Sequence, residues 1–143
     1  NVRVGLNSRL DTLQAAILIE KLKLFENELA SRSQVANIYN QLLNQHCKVP
    51  KLPLECTSAW AQYTLITNDR KKLQSALKVA GIPSAIYYPI PLSSQSGYRQ
   101  YPKAKSGTEV SEMLSQKVLS LPMHPYLDSS TQRSIAESVI KNI

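Results

Sequence analysis

Apolar residues recur at helical spacing along the first third of the chain and form two adjacent lines. They are Leu10, Leu13 and Ile17 on the first line, and Leu18, Leu22, Phe25 and Leu29 on the second. This spacing is typical of a helix with a buried face, and no glycine or proline interrupts residues 6–49. The pattern predicts a heavily buried helix from about Leu10 to Leu43, about 50 Å long at ~1.5 Å per residue, with a bend in residues 27–33.

The start of this helix is also where an anion is expected. Ser8, with Asp11 three residues later, predicts a capped helix start. Asn7, Ser8 and Arg9 then lie at the positive end of the helix, where a carboxamide, free N–H groups and a guanidinium favour an anion. The alternative is that Asn7 and Ser8 only cap the helix and that Arg9 pairs with a nearby carboxylate such as Asp11.

Shorter periodic segments separated by proline and glycine follow the long helix. They predict a strand over Ser58–Thr67, a helix over Arg70–Ala80, a strand over Ser84–Tyr88, a loop over Leu92–Gly107, a helix over Glu109–Leu119, an extended link over Leu121–Pro125 and a final helix from Asp128 or Ser129 to about Asn142. Asp69 and Thr108 are suitable caps, and Gly81 is placed to stop a helix.

These elements predict one α+β domain over residues 1–143, with a short, mostly antiparallel sheet covered by helices. The first helix is longer than such a domain needs. We therefore expect part of it to lie against another domain or another subunit. Trp60 is expected in the core, and His124 is expected to be structural rather than catalytic.

Charge and cysteine content change this picture little. Seventeen Lys and Arg against ten Asp and Glu give a net charge of +7, which admits a non-catalytic basic module that binds nucleic acid or an acidic partner. The basic residues are scattered, however, and no aromatic residues are interleaved with the single basic run, residues 70–72. The two cysteines form no metal-binding or disulfide pattern, and no apolar run reaches membrane-spanning length. We expect a reducing, cytoplasmic setting.

Several motifs that occur in a fixed order along the chain resemble those of a known protein family. They are Gly5-x-Asn7-x-Arg9-Leu10-Asp11-x-x-Gln14-Ala15-Ala16-Ile17-Leu18, then Ser58-Ala59-Trp60-Ala61-Gln62-Tyr63, Gly81-Ile82-Pro83, Tyr87-Tyr88-Pro89-Ile90-Pro91-Leu92 and Leu119-Ser120-Leu121-Pro122-Met123-His124-Pro125. In order and spacing this set resembles the C-terminal part of the DegT/DnrJ/EryC1/StrS family of pyridoxal-phosphate-dependent sugar aminotransferases.

The resemblance implies a fold-type I C-terminal domain and a reaction that moves an amino group from glutamate to a nucleotide-linked keto sugar, in amino-sugar or surface polysaccharide (lipopolysaccharide) biosynthesis. It also implies that the lysine which holds the cofactor lies in an N-terminal domain absent from this sequence. Lys21, Lys23 and Lys117 do not match that lysine. We therefore expect no catalytic residue here, and a piece that is inactive alone.

The resemblance implies binding roles for four residues. Asn7 matches an asparagine that reaches the cofactor phosphate of the neighbouring subunit, which implies a homodimer with shared active sites. Arg9 matches an arginine that faces the substrate carboxylate in members acting on sugar uronates, and a structural salt bridge is its alternative. Tyr87 and Tyr88 are placed to contact substrate, although uronate-type members often have histidine at the first position. Because neighbouring strand residues face opposite sides, we expect only one tyrosine to face the ligand; otherwise both are ordinary strand residues.

Three functional hypotheses remain at this stage. The first is a part of a sugar-nucleotide aminotransferase, with no nucleic-acid or membrane partner. The second is the basic binding module, and the third is a scaffolding domain that dimerises through its long helix.

Overall fold

The computed structural model describes Val2, Arg3, Gly5 and residues 8–143. The elements found there are α1 (Thr12–Leu43), β1 (Tyr63–Ile66), α2 (Arg70–Val79), α3 (Glu109–Lys117), β2 (Val118–Leu121) and α4 (Ser129–Asn142). A short 3-10 turn over Leu92–Ser94 lies in the loop between α2 and α3. This arrangement confirms the α+β class.

Helix α1 is continuous through residues 27–33, so no break in the helix occurs where a bend was predicted. Its N-cap is Asp11, whose carboxylate accepts a hydrogen bond from the backbone N–H of Gln14 at 2.8 Å. The prediction that Ser8 caps the helix is also wrong. Asp11 is the last residue with extended backbone angles before the helix, so its side chain is the one within reach of the free N–H groups.

The first half of α1 is exposed, whereas its second half is buried. Leu13 and Leu22 are 74% and 64% exposed, and the buried positions begin only at Val35. The prediction of a heavily buried helix is therefore wrong for this half. The apolar line is present as predicted, but the part of the chain that the structure describes provides no segment to cover it.

The two strands pair antiparallel, with Tyr63 opposite Leu121 and Leu65 opposite Leu119. The apolar pattern did not predict β2, because it placed residues 118 and 119 at the end of a helix. α3 instead stops at Lys117, where the chain becomes extended and pairs with β1. This pairing satisfies the backbone groups of β2 that point towards β1, while Leu119 and Leu121 enter the core.

The strand predicted over Ser84–Tyr88 is reduced to one bridge. Ala85 and Ser120 exchange two backbone hydrogen bonds, of 3.1 and 2.7 Å, and the residues on either side of Ala85 form no ladder. Pro83 and Pro89 flank this segment and have no N–H to donate, which limits its pairing. β1 is likewise shorter than predicted, since Trp60 adopts a positive φ of 45° before the strand begins.

The core lies between the inner face of the sheet and helices α1, α2 and α4. Tyr39 of α1 and Tyr63 of β1 are fully buried, with ring centroids 4.8 Å apart. The Tyr63 hydroxyl donates to Asn40 Oδ1 at 2.6 Å, and the Tyr39 hydroxyl donates to the Pro122 carbonyl at 3.1 Å. Both phenols are therefore buried with a hydrogen-bond partner, as a well-formed core requires.

Caps define the ends of the shorter helices. Asp69 and Asp128 accept hydrogen bonds from the N–H groups of Lys72 and Thr131, which confirms both predicted caps. Gly81 has a φ of 72° directly after α2, which confirms the predicted stop. Thr108 is wrong as a side-chain cap, because its hydroxyl donates to the Glu112 carboxylate instead. Among the helices described, none combines the length and the apolar character needed to cross a bilayer.

The buried tyrosines predict an alkaline loss of stability. Burial raises the pKa of Tyr39 and Tyr63 above the usual phenol value. Above about pH 10 the unfolded chain releases protons that the folded chain retains, so this stabilisation is complete below that pH and is lost as pH rises. Urea unfolding across this range should show a smaller decline in the free energy of unfolding for Tyr39→Phe/Tyr63→Phe than for the original chain.

Tyr98→Phe/Tyr101→Phe is the matched control, because these two tyrosines lie in the 92–107 loop outside the core. This control variant should show the same decline in the free energy of unfolding at alkaline pH as the original chain. Equal declines in the two double variants would contradict the role assigned to the buried phenols.

Candidate functional site

Tyr87 and Tyr88 follow the Ala85 bridge and are both exposed, at 45% and 67%. Their rings meet edge to face, with centroids 5.7 Å apart, and the peptide bond between them is cis. Both line one pocket of about 470 Å³, together with Leu92, Leu114 and Val118. This segment is not a strand, so the alternation on which the expectation of a single ligand-facing tyrosine was based is absent; which of the two faces the ligand stays a prediction.

Tyr87 also lines a second, smaller pocket at the edge of the sheet. This Tyr87 pocket has a volume of about 250 Å³, and its wall includes Ala61, Gln62, Tyr87, Ser120, Pro122 and Met123. Ser120 is buried, and its hydroxyl lies 2.8 Å from the hydroxyl of Thr64 on the neighbouring strand. None of the described residues that line the Tyr87 pocket carries a charge.

One arginine of α1 joins two segments of this wall. Arg32 Nη1 donates to the carbonyl oxygen of Trp60 at 3.0 Å and to that of Met123 at 3.4 Å. The Tyr39 hydroxyl adds a bond to Pro122, next to Met123. The buried half of α1 therefore fixes both the chain before Ala61 and Gln62 and the chain after β2.

Trp60 is held in an unfavourable backbone conformation. Its φ of 45° is rare for a residue with a large side chain. Three contacts maintain it: its N–H donates to Ser58 Oγ at 3.1 Å, its carbonyl accepts from Arg32, and its ring lies 6.0 Å from that of Tyr63. The indole is only 7% exposed, which confirms Trp60 as a core residue.

Ser93 lies in the pocket shared by Tyr87 and Tyr88. Its Oγ is buried and has no hydrogen-bond partner among the residues that the structure describes. Most buried hydroxyl groups in proteins have a partner, so Ser93 is a polar group whose bonding is incomplete in this conformation.

Arg9 is exposed just before α1, and Asn7 lies outside the described residues. The predicted local pairing of Arg9 with Asp11 is not formed, since the only ion pair in the described chain joins Lys23 to Glu20. The Asp11 carboxylate instead caps α1.

The remaining chemical candidates do not converge on a site. His124 is exposed on the link after β2, and Lys23 is an exposed helix residue bound to Glu20. The described residues contain no group of three or more histidine, cysteine or acidic side chains placed to hold a metal ion. Burial raises the pKa of the Cys47 thiol, which makes it a poorer nucleophile at neutral pH.

Fold and site together define a small α+β domain that carries two neighbouring pockets and an uncovered apolar helix. The sequence model of the DegT/DnrJ/EryC1/StrS aminotransferase family matches residues 1–140. The chain belongs to this family, as its ordered motifs predicted.

Two curated relatives and one solved structure illustrate the likeness. The chain is 43% identical over 140 residues to UDP-2-acetamido-2-deoxy-3-oxo-D-glucuronate aminotransferase of Pseudomonas aeruginosa, covering 97% of this chain and 38% of that protein. It is 33% identical to UDP-N-acetyl-3-dehydro-alpha-D-glucosamine 3-aminotransferase of Acidithiobacillus ferrooxidans, covering 98% and 38%. It superposes on a DegT/DnrJ/EryC1/StrS aminotransferase from Brucella abortus with a TM-score of 0.88 and 48% identity, covering 97% and 37%. The chain thus spans little more than a third of the length of these proteins.

Aminotransferases of this family use pyridoxal phosphate, and the described residues do not by themselves fit that cofactor. Its phosphate needs cationic or N–H donors, yet neither pocket that Tyr87 lines has a charged side chain in its described wall. A lysine that holds the cofactor must also be desolvated, whereas the Lys23 side chain is 63% exposed. The described residues therefore do not form a complete site for this cofactor.

Sequence reasoning missed two residues of this region. Gln62 stands inside a motif, but nothing in the pattern distinguished it from its neighbours. Arg32 belonged to a polar segment that was interpreted as a bend. The available signal was an arginine three positions before the first buried apolar residue of the helix, with no acidic partner at helical spacing on its C-terminal side.

Proposed function

We propose that this chain is the C-terminal small domain of a fold-type I, pyridoxal-phosphate-dependent aminotransferase whose longer natural form binds the cofactor on an N-terminal domain. The observation that carries this proposal is the family match over residues 1–140 in a chain that covers about 38% of its curated relatives. The motifs occur in one order without interruption, as expected for one contiguous domain.

The uncovered half of α1 supports the same proposal. Its large apolar residues, Leu10, Leu13, Ile17, Leu18, Ile19, Leu22, Leu24 and Phe25, are all exposed. A single exposed leucine is ordinary on a protein surface, whereas a contiguous apolar row marks a surface that another part of the assembly covers. The missing domain and the neighbouring subunit of a homodimer are the surfaces that this row fits.

The reaction proposed for the longer protein is transfer of an amino group from glutamate to a nucleotide-linked keto sugar. Pyridoxal phosphate supplies the electron sink for this chemistry. The named relatives support the substrate class, since both act on a UDP-linked sugar that carries an oxo group. Such an enzyme would act in the cytoplasm, in the synthesis of amino sugars for lipopolysaccharide or another surface polysaccharide.

In this proposal the four binding residues act at an active site shared between subunits. Asn7 donates to the cofactor phosphate of the neighbouring subunit, and Arg9 pairs with a carboxylate on the substrate. The exposure of Arg9, with no ion pair recorded to Asp11, supports this role because the guanidinium is left available. Tyr87 and Tyr88 contact the sugar, which their exposed rings at the edge of two pockets support.

Cofactor loading tests the proposal directly. After incubation with pyridoxal phosphate, the longest natural chain that contains these residues should show a cofactor absorbance band near the visible edge, and glutamate should reduce that band. The 143-residue chain alone should show no such band, since it lacks the cofactor lysine. A longer chain with an intact upstream domain but no band would contradict the proposal.

A further inference from the structure

The wall of the Tyr87 pocket has an unusual composition for a protein whose proposed substrate carries phosphates. Its polar members are the amide of Gln62 and the hydroxyls of Ser84, Tyr87 and Ser120, and its apolar members include Leu121 and Met123. Phosphates and carboxylates are bound by arginine, lysine or clustered N–H groups, and the described wall provides no charged side chain. The pocket therefore suits an uncharged group with hydroxyls.

The size of the pocket limits what it can hold. Whole ligand sites are usually ~300–1,000 Å³, whereas this pocket measures about 250 Å³. It therefore fits one ring of a larger molecule. A nucleotide-linked sugar contains two hydroxyl-bearing rings, which are the sugar that reacts and the ribose of the nucleoside. In this proposal a carboxylate on the sugar is bound by Arg9 outside this pocket, so the ring itself is the uncharged group.

Gln62 is the side chain in this wall that offers a carboxamide for hydrogen bonding to a ligand. It is exposed, and the described structure gives its carboxamide no hydrogen-bond partner. A carboxamide both donates and accepts, so one glutamine can pair with a hydroxyl or with an amide group of a ligand.

Three contacts hold the backbone immediately before Gln62 in its conformation. Trp60 retains its positive φ because Ser58, Arg32 and Tyr63 fix its N–H, its carbonyl and its ring. Conformations of this kind are strained and cluster at ligand-binding sites, where they fix the direction of the chain. Here the chain that follows directly is Ala61 and Gln62, at the pocket wall.

We propose that the Tyr87 pocket is a subsite for one uncharged, hydroxyl-bearing ring of the nucleotide-linked sugar, that Gln62 binds this ring, and that Arg32 positions Gln62. This inference rests on the proposed function, because it assigns part of the same substrate. Arg32 acts through the Trp60 and Met123 carbonyls and does not itself line the pocket.

Binding to the longest natural chain, loaded with cofactor, tests the subsite. Uridine diphosphate and UDP-N-acetylglucosamine are titrated calorimetrically into the original protein, into Gln62→Leu and into Gln45→Leu. Gln45 is an exposed glutamine beyond the end of α1 and does not line the pocket, so it serves as the matched control. Loss of a hydrogen bond from a ligand typically lowers affinity by about three- to tenfold.

Two results would support the subsite and identify the ring. If the pocket holds the reacting sugar, Gln62→Leu lowers the affinity for UDP-N-acetylglucosamine by that factor and leaves the affinity for uridine diphosphate unchanged. If the pocket holds the ribose, Gln62→Leu lowers the affinity for both probes by the same factor. Unchanged affinity for both probes, with normal transamination by the original protein, would overturn the subsite and leave the proposed function intact. If the original protein binds neither probe and performs no transamination, the proposed function fails and the subsite fails with it.

A double-mutant cycle tests the role of Arg32. Arg32→Lys keeps the positive charge but loses the planar guanidinium that reaches both carbonyls. If Arg32 positions Gln62, this change weakens probe binding in the original protein and has no further effect in Gln62→Leu. An equal loss in both backgrounds would show a merely structural role and overturn the positioning.

Discussion

Shortening Leu119 to alanine is expected to lower the free energy of unfolding by about 2–5 kcal/mol, the usual result of removing a large apolar side chain from a packed core. Leu119 is fully buried at the centre of β2, opposite Leu65. Urea unfolding of the chain, analysed by linear extrapolation, measures the change.

Leu54→Ala is the matched control for Leu119→Ala, because the same atoms are removed from a leucine that is fully exposed. It should change stability by less than about 0.5 kcal/mol. A loss below 1 kcal/mol in Leu119→Ala would contradict the placement of the Leu119 side chain in the packed core.

Replacing Arg9 by leucine in the longer natural protein is expected to lower kcat/KM by about 10–100-fold for a substrate that carries a carboxylate. Hydrogen bonds to charged groups contribute about 1.5–3 kcal/mol, which corresponds to this factor. Arg9→Lys should recover only part of the loss, since the two-pronged geometry of the guanidinium is absent from lysine. Steady-state kinetics with a UDP-linked keto sugar, with and without the carboxylate, measures the effect.

The specificity of the Arg9 effect separates substrate binding from a structural role. Arg133→Leu, on the exposed side of α4, is the control and should leave kcat/KM unchanged. If Arg9→Leu reduces activity equally on substrates with and without a carboxylate, Arg9 supports the assembly rather than the substrate. The proposed carboxylate contact would then be wrong.

Local sequence signals predicted the helices well. Asp69 and Asp128 mark the starts of α2 and α4, and Gly81 marks the end of α2, because a cap or a glycine stop acts within one helical turn. The wrong Ser8 cap and the continuity of α1 through its polar segment also have a local cause. A polar segment without glycine or proline can continue a helix, and the polar residue nearest the first turn replaces one further away.

The candidate site was predicted only in part. Tyr87 and Tyr88 both line a pocket, their role in substrate binding stays a prediction, and the strand alternation expected of them does not exist. Gln62 and Arg32 were not distinguished, since their contacts depend on segments far apart in the chain. Arg32 bonds to the carbonyl of Met123, 91 positions later, and no spacing rule covers such a distance.

The sequence by itself determined the family, the helix starts and the apolar row of α1, because motif order, caps and helical spacing are properties of neighbouring residues. The tertiary structure alone decided that residues 118–121 form a strand, that Trp60 takes a positive φ and that Gln62 lies beside Tyr87. Each of these depends on backbone hydrogen bonds or side-chain contacts between distant segments. Their free energy outweighs the local preference of the residues involved.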